Sequence, residues 1–260
     1  MSEILETMKR LVLEAGELLE DRELSGSVTV KGDADYVTMS DLSVQERLRG
    51  RLAELFPDVV FVAEESKANP YDPNGRAFIL DPVDGTTNLM HGFRYSAISL
   101  GYYEHGVPTA GVVYNPFLGE LFSAERGCGA FLGDRPIHAR HRESLHECLA
   151  LVEFSPYYKG ESEHTFRMMH GLFDKVQDIR SMGAAAVDLM QLAAGRADAF
   201  LSKKLKPWDY AAAQVILTEA GCRVSCFDGS EWRMDRGCDI IAATDGVFDE
   251  LANYARQFAE

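Results

Sequence analysis

Acidic side chains stand where apolar segments of this sequence end, and their placement suggests metal chemistry. The segment ILDPVDGTTNLMHGF, residues 79–93, begins as an apolar strand and then reaches Asp81 and Asp84, three positions apart. Two carboxylates at the end of a buried strand are costly unless a positive charge lies between them. A divalent cation supplies that charge. For this segment alone, an acidic turn followed by a threonine helix cap is the alternative explanation.

The residues after Asp84 favour phosphate binding. Asp84-Gly85 is a strong turn pair, and Thr86, Thr87 and Asn88 offer hydroxyl, amide and backbone N–H groups where a helix can begin. A helix N-terminus presents unpaired N–H groups and a favourable dipole to an anion. The segment therefore predicts a metal site followed directly by a phosphate-binding turn.

Two further acidic positions have the same character. Glu64-Glu65 follows the apolar run Val59–Ala63, and Asp209 follows Trp208 at the start of a predicted helix. Each has an ordinary alternative, a solvated strand end for the first and a helix N-cap for the second. Hard oxygen ligands without a cluster of cysteine and histidine favour Mg²⁺ or Mn²⁺ over zinc.

The composition bears on the class of partner. The 260 residues include 41 acidic and 26 basic ones, which gives a formal net charge of −15. Such a chain is poorly suited to nucleic-acid backbones or anionic membranes, so we expect neither as a partner. The N-terminal residues lack the apolar core of a signal peptide, no apolar run is long enough to cross a membrane, and the five cysteines are scattered. We therefore expect a cytoplasmic protein with free thiols.

Apolar periodicity predicts the elements that position the acidic residues in the first half. Residues 3–22 place apolar side chains on one helix face. Ser40-Asp41 and the pattern Ser43-x-x-Glu46 predict the start of a second amphipathic helix. The strand before the phosphate-binding turn is predicted to end at Asp81, because Pro82 has no backbone N–H to donate.

The rest of the chain predicts a second, different half. Strands alternate with helices after residue 150, among them a strand at Asp198–Ser202 and a helix within Trp208–Gly221. No linker is long enough to separate independent domains. We predict one unit with two lobes, an α+β half at residues 1–150 and an α/β half at residues 151–260.

Five segments, in order, are similar to the inositol monophosphatase superfamily. DPVDGTTN (residues 81–88), followed by HGF, resembles its first signature, and WDYAAAQVILTEAG (residues 208–221) resembles its second. AEES (63–66), YVTMSD (36–41) and IRSMGAAAVDLMQLAAGRADAF (179–200) supply matching context. The resemblance covers nearly the whole chain. It implies a Mg²⁺-dependent, lithium-sensitive phosphomonoesterase with the layered α/β/α/β/α sandwich of sugar phosphatases, commonly a homodimer.

The resemblance also implies roles for individual residues around two or three Mg²⁺ ions. The implied metal ligands are Glu64, Asp81, the backbone carbonyl of Val83, Asp84 and Asp209. Asp81 would bridge two ions, and the catalytic residues Glu64 and Thr86 would orient the attacking water. The implied substrate-binding positions are Val83, Asp84, Gly85, Thr86, Gly183, Ala184, Ala185, Ser202 and Asp209. The expected reaction is hydrolysis of the phosphate monoester of a small polyol or sugar, such as inositol 1-phosphate, by direct attack of water.

Departures from the family pattern leave the substrate open. Ala213 stands where the second signature has glycine, and Gly183-Ala184-Ala185 lacks the hydroxyl of the usual Gly-Thr-Ala. Ser202 replaces a glutamate of inositol-specific members and is followed by Lys203, Lys204 and Lys206. Such lysines favour an additional phosphate on the substrate, or they lie on a solvated turn.

Two alternative substrates follow from these departures, fructose 1,6-bisphosphate and a nucleotide such as 3′-phosphoadenosine 5′-phosphate or NADP. A separate alternative is a non-catalytic metal-binding homologue, against which the five filled ligand positions argue. Arg180 either reaches the substrate or, as we expect, pairs with a carboxylate.

Overall fold

The fold contains two large β-sheets of different size, and helices lie on both faces of each. The computed structural model describes residues 1–32, 34–66, 71–154 and 156–259, with only the backbone at 156–157. The first elements are α1 (Glu3–Glu20), α2 (Arg22–Gly26), β1 (Val28–Gly32), β2 (Asp35–Thr38), α3 (Met39–Leu55), β3 (Val60–Ala63), β4 (Arg76–Asp84), α4 (Thr86–Met90), β5 (Ala97–Glu104), β6 (Val107–Asn115), β7 (Glu120–Glu125), β8 (Ala130–Leu132) and β9 (Arg135–Ile137). The later ones are β10 (Leu149–Glu153), α5 (Ser162–Phe173), β11 (Asp178–Arg180), α6 (Ala185–Ala193), β12 (Ala199–Leu205), α7 (Pro207–Glu219), β13 (Cys222–Cys226), β14 (Cys238–Thr244) and α8 (Asp245–Ala255).

The strands form a seven-stranded sheet in the order β3-β4-β5-β6-β7-β8-β9 and a five-stranded sheet in the order β11-β10-β12-β14-β13. In the larger sheet only the β3–β4 pair is parallel, which brings the ends of these two strands to the same edge. In the smaller sheet β10 is parallel to both β11 and β12. A separate hairpin joins β1 and β2.

Three apolar clusters define the layers. One packs α1 and α3 on the outer face of the larger sheet, and another packs α5 and α8 on the outer face of the smaller sheet. The largest cluster holds α6 and α7 between the two sheets. Alternation along β4 sends Phe78 and Leu80 to one face and Ala77 and Ile79 to the other, so both faces are buried. The predicted α/β/α/β/α layering is confirmed.

Three local predictions differ from the structure. Helix α3 begins earlier than the Ser43-x-x-Glu46 pattern indicated, because Thr38 and Asp41 form the capping box. Strand β4 does not end at Asp81; it bulges at the next two residues and resumes its pairing with β5 at Asp84. Strand β12 continues beyond Ser202 to Leu205.

The described helices include none that is both long and apolar enough to cross a membrane. All five cysteines are free, as expected; Cys148, Cys222 and Cys226 are buried, Cys238 is partly buried and Cys128 is exposed.

Candidate active site

Asp81 and Asp84 lie at the end of β4 and are almost completely buried, with 2% and 5% of their surface exposed. The backbone N–H of Val83 donates to Asp81 Oδ1 at 2.9 Å, and the N–H of Val187 donates to Asp84 Oδ2 at 3.0 Å. These hydrogen bonds fix one oxygen of each carboxylate. A carboxylate has about four lone-pair sites, so each aspartate can also accept a positively charged partner.

The fold brings Glu64 and Asp209 to the same place from different elements. Glu64 directly follows β3, whose parallel pairing with β4 places it beside Asp81; its N–H donates to Leu80 O at 3.2 Å. Asp209 lies in the first turn of α7, where the N–H of Lys206 donates to Asp209 Oδ2 at 2.7 Å. Asp209 is therefore the third residue of its helix and not the N-cap that the alternative explanation assumed; Lys206 is the N-cap, and its N–H is bound by the Asp209 carboxylate. Asp209 also lines the common cavity.

Burial raises the pKa of all four carboxylates, and the charge of a neighbouring carboxylate adds to the rise for Glu64, Asp81 and Asp84. Burial raises the pKa of Asp81 well above the usual carboxyl range, and the charge of Glu64 adds to this rise. Burial and the charge of Asp209 do the same to the pKa of Glu64. Burial raises the pKa of Asp84, with a further contribution from Asp209. Burial raises the pKa of Asp209 itself to about 7. A positive charge among these groups would relieve both desolvation and mutual repulsion.

The chemistry of these donors fits a hard divalent cation. All four groups offer carboxylate oxygens, the ligands that Mg²⁺ and Mn²⁺ prefer. Three of them are already held by backbone N–H groups. In the part of the chain that the structure describes, no three acidic, histidine or cysteine side chains are yet at the spacing of a formed metal site. Side-chain rotation would have to close the carboxylates around an ion.

A cavity of about 350 Å³ opens onto these residues. Its lining includes nearly all the predicted site residues, namely Glu64, Asp81, Val83, Asp84, Gly85, Thr86, Gly183, Ala185 and Asp209. Ala184 is buried behind the wall, where the ideal Cβ position of Gly85 is 2.9 Å from the Ala184 Cβ. Gly85 has a φ of 83°, a left-handed conformation that glycine adopts without strain. The predicted phosphate-binding turn therefore lies directly against the Gly183–Ala185 segment.

Ser202 is not brought to the cavity, and the predicted substrate contact is not supported there. Its side chain is fully buried, and its hydroxyl has no hydrogen-bond partner among the described residues. Lys204 and Lys206 line the cavity instead. Strand β12 is irregular between Ser202 and Leu205, and Lys204 has a φ of 58°, so the alternation of faces changes here. Spacing from Asp209 could not reveal this bulge.

The remaining two basic residues have acidic neighbours. Lys203 is buried in β12, where its Nζ lies 3.9 Å from Asp239. Arg180 pairs with Asp178 at 2.6 Å, as predicted, and is half exposed. Lys204 also has a carboxylate partner, Glu161, and its Nζ lies 4.9 Å from the centre of the Tyr158 ring.

Asp41 is a residue of the site that sequence reasoning missed. It is fully buried, and its Oδ1 accepts a hydrogen bond from Thr86 Oγ1 at 3.0 Å. The same hydroxyl lies 3.0 Å from the carbonyl of Val83. Having one proton and two acceptors, the Thr86 hydroxyl keeps its lone pairs for another donor such as water. The signal available in the sequence was the spacing of Thr38 and Asp41 within YVTMSD, which is that of a capping box at the start of α3.

Glu153 and Asp188 were also missed, although each is hydrogen-bonded close to the cavity. Glu153 ends β10 and carries the same signal as the metal-binding candidates, a carboxylate at the end of an apolar strand. Asp188 lies in a helix and carries no comparable signal. Asn88 was predicted to offer its amide at the phosphate-binding turn, and in the structure that amide donates to Tyr95 O and Met182 O. The positions of all three residues depend on contacts between α4, α6 and the end of β10.

Comparison with known proteins gives one consistent result. A sequence model described as "Inositol monophosphatase family" matches residues 1–260. The chain is 36% identical over 257 residues to an inositol monophosphatase of Mesembryanthemum crystallinum, covering 96% of this chain and 94% of that protein. It is 33% identical over 243 residues to Nus factor SuhB of Xylella fastidiosa, covering 89% and 87%. The crystal structure of extragenic suppressor protein suhB from Bartonella henselae superimposes with a TM-score of 0.90 at 32% identity, covering 98% and 99%.

Proposed function

Because this chain belongs to the inositol monophosphatase family, we propose that it is a Mg²⁺-dependent hydrolase of phosphate monoesters of small polyols or sugars. The observation that carries the proposal is the convergence of Glu64, Asp81, Asp84 and Asp209 on one cavity beside the Gly85–Thr86 turn. A cation-binding cluster next to backbone N–H groups is the arrangement that a phosphate ester requires.

The residues of the chain have separate tasks in this proposal. Glu64, Asp81, Asp84, Asp209 and the Val83 carbonyl would hold Mg²⁺, which lowers the pKa of bound water and stabilises the departing alkoxide. The N–H groups of Gly85 and Thr86 bind phosphate oxygens. The Thr86 hydroxyl, held by Asp41, and the Glu64 carboxylate orient the attacking water.

The test combines binding and turnover. Purified protein is assayed with inositol 1-phosphate, fructose 1,6-bisphosphate, 3′-phosphoadenosine 5′-phosphate and NADP during a Mg²⁺ titration. Asp84→Asn, which removes one ligand charge, is expected to lower phosphate release about 100-fold or more. Mg²⁺ should raise the melting temperature of the wild type and raise that of Asp84→Asn much less, because an ion stabilises only the state that binds it.

An exposed aspartate provides the matched control. Asp249→Asn removes the same charge far from the cavity, at a surface pair with Arg223. It should leave turnover and the Mg²⁺-dependent melting shift unchanged. Turnover by Asp84→Asn close to that of the wild type would refute the assignment. No Mg²⁺-dependent turnover with any of the four esters would favour the non-catalytic alternative.

A second candidate, a bisphosphate as substrate, is favoured by one observation. Lys204 and Lys206 line the same cavity as the carboxylates. Glu161 compensates part of the Lys204 charge, which leaves Lys206 as the exposed cation of the pair. If the second phosphate binds here, Lys206→Ala should raise KM for fructose 1,6-bisphosphate about tenfold and leave KM for inositol 1-phosphate unchanged. Lys159→Ala, an exposed lysine outside this lining, is the control; equal KM changes for both substrates would exclude the candidate.

Two further properties are proposed on the resemblance alone, a homodimer and inhibition by Li⁺. Light scattering at two protein concentrations measures the first. Competition between LiCl and Mg²⁺ in the phosphate-release assay measures the second. A monomer at high concentration, or activity insensitive to Li⁺, would contradict the corresponding proposal without affecting the assignment of the metal ligands.

A further inference from the structure

Glu153 is a buried carboxylate at the cavity with an unusual set of partners. It is the last residue of β10 and 7% of its surface is exposed. Its Oε1 accepts the backbone N–H of Met182 at 2.8 Å and that of Gly183 at 2.9 Å. One oxygen that accepts two successive backbone N–H groups holds both residues in a fixed position. Glu153 therefore fixes the backbone at the start of the predicted substrate-binding segment.

The same turn is held from the other side by Asn88. Its Nδ2 lies 2.8 Å from Met182 O and 3.3 Å from Gly183 O, and it also lies 2.8 Å from Tyr95 O. Asn88 belongs to the short helix that follows the phosphate-binding turn. The Met182–Gly183 turn is thus clamped between Glu153, on its N–H side, and Asn88, on its carbonyl side.

Asp188 and Tyr95 support Glu153 in turn. Tyr95 OH donates to Asp188 Oδ1 at 2.7 Å, whereas Asp188 Oδ2 is buried and has no donor among the described residues. Burial and the charge of Glu153 raise the pKa of Asp188 to about 9. The raised pKa favours the protonated form of Asp188, which can donate to the Glu153 side chain. Such a donor fixes the rotamer of Glu153.

The clamped turn has little freedom to move. It leads into α6, where the N–H of Val187 donates to Asp84. On the cavity side, the ideal Cβ position of Gly85 is 2.9 Å from Ala184 Cβ and 3.3 Å from Gly183 O. A shift inward would collide with the phosphate-binding turn. A shift outward would remove one wall of the cavity and disturb the hydrogen bond to Asp84.

We infer that Glu153 is a positioning residue, which holds the Met182–Gly183 turn at the separation from the phosphate-binding turn that the alcohol part of the substrate requires. This inference rests on the proposed phosphatase function. Glu153 acts through the backbone of the turn and takes no part in water attack.

The test compares Glu153→Ala and Glu153→Gln with Glu104→Ala, a strand-end glutamate whose Oε1 accepts a hydrogen bond from Tyr102 OH. Turnover of the best ester, inhibition by inorganic phosphate and Mg²⁺ half-saturation are measured together with hydrogen exchange at Met182 and Gly183. Loss of the hydrogen bonds in Glu153→Ala should raise KM and lower amide protection about tenfold or more. Inorganic phosphate lacks the alcohol part, so its inhibition constant and the Mg²⁺ half-saturation should stay within about threefold. Glu153→Gln keeps an acceptor oxygen, so its KM and amide protection should stay close to those of the wild type. Glu104→Ala should resemble the wild type.

Several results would overturn the inference. The first is a Glu153→Ala variant with the KM and amide protection of the wild type. The second is an equal weakening of substrate, phosphate and Mg²⁺ binding, because general unfolding would explain that result. If Glu153→Ala does not fold, Glu153→Gln tests the inference instead. A rise in KM and a fall in amide protection of about tenfold in Glu153→Gln would contradict the role of the acceptor oxygen. A wild-type protein inactive on every ester would refute the proposed function. Hydrogen exchange would still show whether Glu153 holds the Met182–Gly183 turn.

Discussion

Gly85→Ala tests whether the phosphate-binding turn depends on its close contact with the Gly183–Ala185 segment. Gly85 has a φ of 83°, and a Cβ there would lie 2.9 Å from Ala184 Cβ and 3.0 Å from Tyr95 O. Gly92 gives a matched control, because its φ is 68° and a Cβ there would meet nothing within 4 Å. Both substitutions impose the left-handed strain, but only one imposes a collision.

The two costs can be separated in magnitude. Left-handed backbone costs an alanine about 1–2 kcal/mol, so Gly92→Ala should lower the free energy of unfolding by about that amount. Overpacking adds about 1–3 kcal/mol, which gives a total of about 2–5 kcal/mol for Gly85→Ala. To relieve the collision, the turn must move by several tenths of an ångström. Displacement of phosphate-binding N–H groups on that scale should lower kcat/KM about 10- to 100-fold.

Urea denaturation and phosphate release, both in saturating Mg²⁺, measure these quantities. Gly92→Ala should lose stability alone, whereas Gly85→Ala should lose stability and activity. The reasoning is refuted if the two variants lose the same stability and Gly85→Ala keeps the kcat/KM of the wild type. That result would mean that the Gly183–Ala185 segment yields freely and does not fix the turn.

Two other substitutions test the hydrogen bonds around the cavity. Thr86→Val removes the hydroxyl that donates to Asp41 and should lower kcat about 100-fold, whereas Thr86→Ser should retain most activity; equal kcat values for the two variants would contradict a role for the hydroxyl. Asp188→Asn tests the buried acid, whose pKa rises from 3.8 to about 9 on folding. The folded protein thus keeps a proton that the unfolded chain releases, and stability is lost as pH rises through this range. Asparagine has no such proton, so the variant does not lose this stability. The unfolding free energy of Asp188→Asn minus that of the wild type should therefore increase between about pH 5 and about pH 8.5; a difference that does not change with pH would contradict the raised pKa of Asp188.

The fold could be predicted from the sequence wherever local signals decided it. Apolar periodicity located the first helix, predicted at residues 3–22, and the helix within Trp208–Gly221 to within about two residues of α1 and α7. The alternation of elements after residue 150 predicted helices packed on a sheet. The misplaced boundaries depend on partners distant in sequence. Strand β4 resumes at Asp84 because Ala97 of β5 pairs with it, and β12 continues past Ser202 because β14 pairs with Leu205.

The local sequence predicts the chemistry of the site, whereas the tertiary structure determines which distant residues join it. The run from Asp81 to Thr86 specifies two carboxylates, a turn and a helix start within six residues, because strand, turn and helix signals act over short range. No spacing rule could show that Asp209 faces Asp84, because that depends on α7 packing between two sheets. Nor could it show that Ser202 turns away, because a single bulge exchanges the faces of a strand. Contacts of the same long-range kind bring Glu153 into the lining of the cavity.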